Sequence, residues 1–340
     1  MKNKIISAVF AGAVAMGLAA SAQAGTLEDV KARGVLKCGS NPSLIGFGAP
    51  DDQNNYKGLD VDFCRAVAAA VLGDGSKVEF VPLDATQRFA ALTSGEIDIL
   101  SRNTTWTMSR DTTVGLSFAG TMYYDGQGFM VRKDLGVKSA LELNGASVCT
   151  QTGTTTELNL ADYFKANNMT YEVVAFQKSD ETLAAYREGR CDVFTTDQSG
   201  VYAERLKMPD PENHVVLPEI ISKEPLGPGV RQNDTAWFNI VKWTYFALVN
   251  AEELGVTSAN VDDMLANSKN PEVARLLGKE GDFGKGIGLE NDWVVKIIKA
   301  TGNYGEIFER NVGMSSQLKI ERGLNALWTK GGLQYAPPIR

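Results

Sequence analysis

The chain is poor in the residues that build most catalytic and metal centres. It has one histidine, His214, and four cysteines in 340 residues. A single histidine excludes His-rich metal sites and leaves any imidazole catalysis to one residue. That residue follows Pro211-Glu212-Asn213 and reads as part of a surface loop without a chemical role. Four cysteines are far too few for a disulfide scaffold, and a thiol nucleophile would lack a base. Basic blocks are absent and the formal charge is −7, so nucleic acid is not an expected partner. Proline is scarce, at 11 residues, while 34 glycines, 44% hydrophobic and 22% charged residues are ordinary globular values. These values exclude collagenous, disordered and coiled-coil classes. The length suits one large domain or two moderate ones, and no cofactor is expected.

Long apolar runs are also missing beyond the N-terminus. Lys2 and Lys4 precede an uncharged, mostly apolar stretch from Ile5 to Ala20, and Ala22-Gln23-Ala24 has the small-x-small form of a cleavage site. The stretch is shorter than the ~20 residues a spanning helix needs. Residues 1–24 therefore read as a secretory signal peptide cleaved after Ala24, with a periplasmic product. In that compartment four cysteines can form two disulfides.

The chain contains a repeat. Phe89-Ala90-Ala91-Leu92-Thr93-Ser94-Gly95-Glu96-Ile97-Asp98 resembles Leu183-Ala184-Ala185-Tyr186-Arg187-Glu188-Gly189-Arg190-Cys191-Asp192, 94 residues later. Both read as a helix closed by a C′ glycine and followed by a strand. Upstream, Gly34–Cys38 and Gly145–Cys149 also correspond. Strands alternating with helices imply parallel α/β sheets, and two copies imply two lobes. In lobe one, strands are expected at Val35–Gly39, Val78–Val81 and Ile97–Leu100, with helices at Asp60–Leu72 and Thr86–Ser94. In lobe two, strands are expected at Val148–Thr150, Tyr171–Ala175 and Cys191–Thr196, with helices at Thr156–Ala166 and Asp180–Glu188. Phe118–Val131 and Glu224–Arg231 carry the glycines expected of two hinge crossings. Further helices follow at 235–253, 260–267, 291–299 and 305–311. Cys38 pairs with Cys64 and Cys149 with Cys191 in this scheme, if the side chains of neighbouring elements point the same way. Four reduced, buried thiols are the alternative.

Ligands of open α/β sheets bind beyond the carboxyl ends of strands. Lobe one offers Arg88, Arg102, Asn103, Thr104, Thr105 and Arg110 there, and lobe two offers Gly153, Thr154, Thr155 and Asp197. A guanidinium clamps a carboxylate and an aspartate holds an ammonium. One of each on opposite lobes describes a receptor for a zwitterion.

Gly58-Leu59-Asp60-Val61-Asp62-Phe63, followed by Val67-Ala68 and Val71, resembles the signature of solute-binding protein family 3, the periplasmic amino-acid-binding components of ABC importers. The resemblance runs from about Val30 to Glu253. The tail, notably Asn303–Asn311, looks like the broad-specificity branch of that family. The resemblance implies an α/β, two-lobed periplasmic binding protein fold of type II, each lobe a doubly wound, mostly parallel sheet, joined by two hinge crossings. It implies lobe one over residues 25–125 and 229–255, lobe two over 126–228, and a helical extension over 256–340. It implies a monomer that binds an L-amino acid, closes, and docks on an inner-membrane ABC permease. Carried over residue by residue, Asn103 and Thr105 supply backbone and hydroxyl contacts to the ligand carboxylate. Arg110 is the carboxylate clamp, and Thr154 and Thr155 stand in the loop of lobe two. Asp197 is the ammonium partner, and Arg88 points at the ligand side chain. Asn41 stands where cation-specific members have an acid, which argues against lysine- or arginine-only specificity. An enzyme resembling periplasmic cyclohexadienyl dehydratases uses the same fold, but needs an acid or base at a leaving group. Asp197 is the only obvious carboxylate at the cleft. A receptor restricted to glutamate, aspartate and glutamine is the other alternative. Phe47 is a candidate wall of the cleft or a core residue.

Overall fold

A computed structural model describes residues 25–340, so the expected signal peptide, 1–24, lies outside the described residues. The strands in chain order are β1 (Leu36–Ser40), β2 (Ala49–Pro50), β3 (Tyr56–Lys57), β4 (Val78–Pro82), β5 (Ile99–Leu100), β6 (Leu116–Phe118), β7 (Tyr123–Asp125), β8 (Gln127–Arg132), β9 (Ala146–Gln151), β10 (Tyr171–Phe176), β11 (Val193–Asp197), β12 (His214–Val216), β13 (Glu224–Leu226) and β14 (Gly229–Arg231). The helices are α1 (Thr26–Arg33), α2 (Leu59–Leu72), α3 (Arg88–Ser94), α4 (Met108–Thr112), α5 (Thr155–Ala166), α6 (Ser179–Arg187), α7 (Gln198–Leu206), α8 (Thr235–Glu253), α9 (Val261–Asn267), α10 (Pro271–Leu276), α11 (Trp293–Thr301) and α12 (Tyr304–Asn311).

Two five-stranded sheets share one topology. The first runs β4-β1-β5-β14-β6 and the second β10-β9-β11-β8-β12. In each, three strands are parallel and the fourth, which enters from the hinge, is antiparallel to its neighbours. The sheets are thus mixed, because each fourth strand arrives from the other lobe instead of through a helical crossover. β7 and β13 form a separate antiparallel ribbon between them, with Asp125 opposite Glu224. Gly120 and Gly227, one on each crossing, meet there: a Cβ on Gly227 would lie 1.9 Å from the Gly120 carbonyl oxygen.

The second sheet is buried on both faces, and period-2 alternation sorts its residues. Phe129, Val131, Val148 and Val193 pack with Leu160 and Phe164, while Met130, Cys149 and Phe194 pack with Tyr186. Cys38 and Cys64 are joined by a disulfide, as are Cys149 and Cys191. His214 departs from the sequence reading. It begins β12, is buried, and its Nδ1 lies 2.8 Å from the Tyr186 hydroxyl. The Pro-Glu-Asn turn ahead of it hid the short edge strand. Phe47 is a core residue, packed edge-on to Tyr123 at 5.2 Å between centroids. α1, α4, α7 and α10 lie outside the helices expected from the sequence.

The residues after α8 continue the core of the first sheet. Trp293, Ile297 and Ile298 of α11 and Tyr304 and Phe308 of α12 join a cluster with Phe63, Trp237 and Tyr245. The final segment also reaches the hinge. Asn325 Oδ1 accepts the Tyr124 N–H at 2.7 Å, and its Nδ2 donates to the Tyr124 carbonyl at 3.1 Å. Gln334 donates to Thr121 O, and the Tyr304 hydroxyl donates to Met122 O. Side chains of the extension therefore occupy the edge of β7 that β13 leaves open. Among the described residues, no helix is long and apolar enough to cross a membrane.

Asn325→Ala strands a half-buried backbone donor and acceptor, at a cost of about 1–3 kcal/mol each. It should lower the thermal midpoint of unfolding. An unchanged midpoint would show that the strap carries no stability.

Candidate ligand-binding cleft

The cleft is built around the loop that leaves β5. Asp60, in the first turn of α2, accepts from Ser101 Oγ at 3.0 Å and from the Asn103 backbone N–H at 2.7 Å. These bonds hold Asn103 at φ +32, in the left-handed region. α2 itself starts where Gly58 passes Phe47, with φ +139 and space for no Cβ: one would lie 2.0 Å from the Phe47 oxygen. The next loop residues pair with the hinge. Trp106 N–H donates to Pro225 O at 2.8 Å and Gly227 N–H to Thr104 O at 3.0 Å. α4 then places Arg110, whose Nη1 donates to Thr105 O at 2.8 Å.

The expected residues converge, with different individual tasks. Arg88 and Arg110 are both buried, and their guanidiniums lie 4.8 and 5.1 Å from the Phe89 ring centroid. Arg88 Nη1 donates to Thr104 Oγ1, and its Nε has no partner. Asn41 is buried: its Nδ2 donates to Asn103 Oδ1 at 3.0 Å and its Oδ1 accepts from Ser43 N–H. Asn103 is corrected in one respect. Its N–H is taken by Asp60, so it has no backbone donor left for a ligand. The Thr154 hydroxyl donates to Gln151 O at 2.6 Å and stays within its own turn. Thr154 is also the N-cap residue of α5, although it makes no side-chain cap. Thr105 and Thr155 meet across the cleft, Oγ1 to Oγ1 at 3.3 Å, so the lobes are closed.

Two residues missed in the sequence complete the cleft. Glu224, on β13, is 1% exposed and accepts from Thr105 at 2.6 Å, Thr155 at 2.8 Å, Asn159 at 2.6 Å and Ser222 at 2.7 Å. It joins donors from both lobes at the hinge. Asp125, on β7, accepts from Gly126 N–H and from the Ser199 hydroxyl. Hinge carboxylates in short strands carry no local motif, and only their pairing partner betrays them.

Asp197 ends β11 and is the N-cap residue of α7, without capping it. Burial, then the Asp125 and Glu224 charges, push its carboxyl well above the usual range, against a hydrogen bond from the Asn103 side chain and the Arg88 charge. Burial pushes the Arg88 guanidinium well down, with Arg102 and Arg110 adding to it. Burial likewise lowers Arg110, opposed by Glu224 and Asp197, and brings Arg102 down to about 10. Among the described residues, no ion pair joins any of these arginines to a carboxylate. Nor does any group of His, Cys, Asp or Glu among them have the form of a metal site.

Two matching α/β lobes, a ribbon hinge and opposed charges across a closed cleft define a type II periplasmic binding protein. The chain belongs to the bacterial extracellular solute-binding proteins, family 3, which it matches over residues 36–259. It is 62% identical, over the full length of both chains, to the general L-amino acid-binding periplasmic protein AapJ of Rhizobium johnstonii. It is 58% identical to the glutamate/glutamine/aspartate/asparagine-binding protein BztA of Rhodobacter capsulatus, over 97% of this chain and 98% of that one. A solved periplasmic binding protein of an ABC transporter from Brucella ovis, with glutathione bound, superimposes with a TM-score of 0.91 at 60% identity, covering 93% of this chain and all of the other.

Burial is the leading cause that raises Asp60 and Asp125 from the ordinary 3.8 to about 6. The folded state thus holds these protons more tightly than the unfolded chain. The stability they contribute is full below the ordinary value and is lost as pH rises through about 6. The ligand-free protein should lose thermal stability between about pH 4 and pH 6, and Asp125→Asn should flatten that loss. Identical pH profiles for the two proteins would contradict the assignment.

Proposed function

We propose that this protein is the periplasmic substrate-binding component of an ABC importer for L-amino acids, with broad specificity. The observation that carries the reading is the placement of Arg110 and Asp197 on opposite lobes of one closed cleft, both buried and not paired with each other. Arg110 receives the α-carboxylate, with Thr105. Asp197 receives the ammonium. The first backbone N–H groups of α5, at Thr154 and Thr155, lack intrahelical partners and add donors for an anion. Arg88 faces the ligand from lobe one, and Asn41 sets the Asn103 side chain.

The chain divides into a signal peptide, 1–24, cleaved after Ala24; lobe one, 25–125 with 229–255; lobe two, 126–228; and the extension, 256–340. The protein acts as a monomer, without catalysis, and hands its ligand to an inner-membrane permease that reads the closed form. The ligand favours closure because only that form offers both lobes' contacts. The name of AapJ supports the broad reading. That of BztA supports a narrower one, limited to acidic amino acids and their amides, which Arg88 and Arg102 also favour. Glutathione, held by the Brucella ovis protein, is an α-amino acid at its γ-glutamyl end, so the same clamp fits it.

Titration calorimetry of protein refolded free of ligand, against a panel of L-amino acids, tests the reading. Several chemically different amino acids should bind. Removing one member of a buried charge pair costs ~3–5 kcal/mol. Arg110→Ala and Asp197→Ala should each weaken binding roughly 10²–10³-fold or more while the fold survives. Near-unchanged affinity in both would sink the assignment.

A further inference from the structure

A second compartment of the same cleft lies towards solvent. A cavity of about 250 Å³ sits between the lobes, with Asn41 and Arg102 on its inner wall and Asp84, Lys178, Ser179 and Asp180 around it. The wall is buried and the Lys178–Asp180 rim is largely exposed. The cavity is one side chain away from the zwitterion clamp, because Asn41 Nδ2 and Arg102 Nη1 both donate to Asn103 Oδ1. At about 30 Å³ for a water molecule's share of liquid, the volume exceeds what an amino-acid side-chain terminus fills.

Its charges have a direction. Asp180 is engaged by Lys207 at 3.3 Å, and Asp84 is the first of the charges that favour the Arg102 cation. Arg102 is 3% exposed; its Nε donates to Leu83 O, while its Nη2 makes no hydrogen bond among the described residues. Lys178 makes no ion pair there either. Lys178 is also the N-cap residue of α6, whose first turn carries its own acids, Asp180 and Glu181. Arg102, with Nη2 free and Asp84 beside it, and the unpaired Lys178 thus bring one cation from each lobe to a polar cavity on the far side of Asn103 from Asp197.

We propose that this cavity seats the distal, carboxylate-ended part of γ-glutamyl peptides, whose γ-glutamyl end occupies the clamp. The inference rests on the amino-acid reading above and names a further class of ligand for the same cleft. The α-carboxylate lies on Arg110 and the ammonium on Asp197. The chain then passes Asn103 and ends with its terminal carboxylate between Arg102 and Lys178. An α-linked peptide cannot do this, because its first residue has no free α-carboxylate to offer Arg110.

The test is titration calorimetry of the protein and of Lys178→Glu with L-glutamate, glutathione and α-glutamylglycine. The unaltered protein should bind glutamate and glutathione and ignore α-glutamylglycine. Lys178→Glu should weaken glutathione about 5- to 10-fold, the size expected for reversing one rim charge, and leave glutamate within about twofold. Retained glutamate binding also shows that the variant is folded. Glutamate binding without glutathione binding, or equal loss of both ligands in the variant, overturns the cavity assignment alone. Equal affinity for the α-linked peptide overturns the orientation on which it depends. Glutathione binding without any amino acid keeps the cavity and overturns the free amino acid as ligand. Silence towards all three overturns both readings.

Discussion

Three guanidiniums and two carboxylates are withheld from water in one cleft, with no ion pair among them. Arg88, Arg102 and Arg110 stand against Asp197 and Glu224, each 7% exposed or less, and against the half-buried Asp125. Charge held this way is costly, and unpaired buried charge is the costliest arrangement a fold can keep. The protein offsets part of the cost locally. Phe89 lies against two of the arginines, and Glu224 takes four hydrogen bonds from neutral side chains. In the function proposed above the remainder falls to the ligand, whose own carboxylate and ammonium complete the set. On that proposal closure and binding are one event, because the closed lobes bring together charges that a zwitterion between them satisfies.

The hinge is where that event is felt. β7 and β13 carry Asp125 and Glu224 at opposed positions, so the crossings that let the lobes move also hold part of the cleft's charge. Glu224 is bonded to Thr105 from one lobe and to Thr155 and Asn159 from the other. The outer edge of β7 is held by Asn325, and the two residues before it by Gln334 and Tyr304. The extension thus braces the hinge from behind, on the side away from β13.

Much of this was legible in the sequence, for physical reasons. The repeat announced two equivalent sheets because each copy must bury the same apolar faces. Arginines and an aspartate were expected to face one cleft, and Arg88, Arg110 and Asp197 are buried there. The Gly58–Phe63 signature matched a family before its content was visible: Gly58 lets the chain pass Phe47, Asp60 sets the Asn103 loop, and Asp62 accepts from Arg310 and Asn311 of the extension. Those contacts span up to 249 residues, and no local pattern encodes them. Glu224 and Asp125 were missed for the same reason. His214 was misplaced because its strand is three residues long at a sheet edge and follows a turn.

The account stands or falls on whether the ligand's two charges are both required. Titration calorimetry with L-glutamate, with glutarate, which lacks the ammonium, and with the α-amide of L-glutamate tests this without altering the protein. Each analogue leaves one buried protein charge without its partner, so each should bind roughly 10²-fold more weakly, or worse, than L-glutamate. Either analogue binding as tightly as L-glutamate would contradict the central claim that opposed charges on the two lobes close upon a zwitterion.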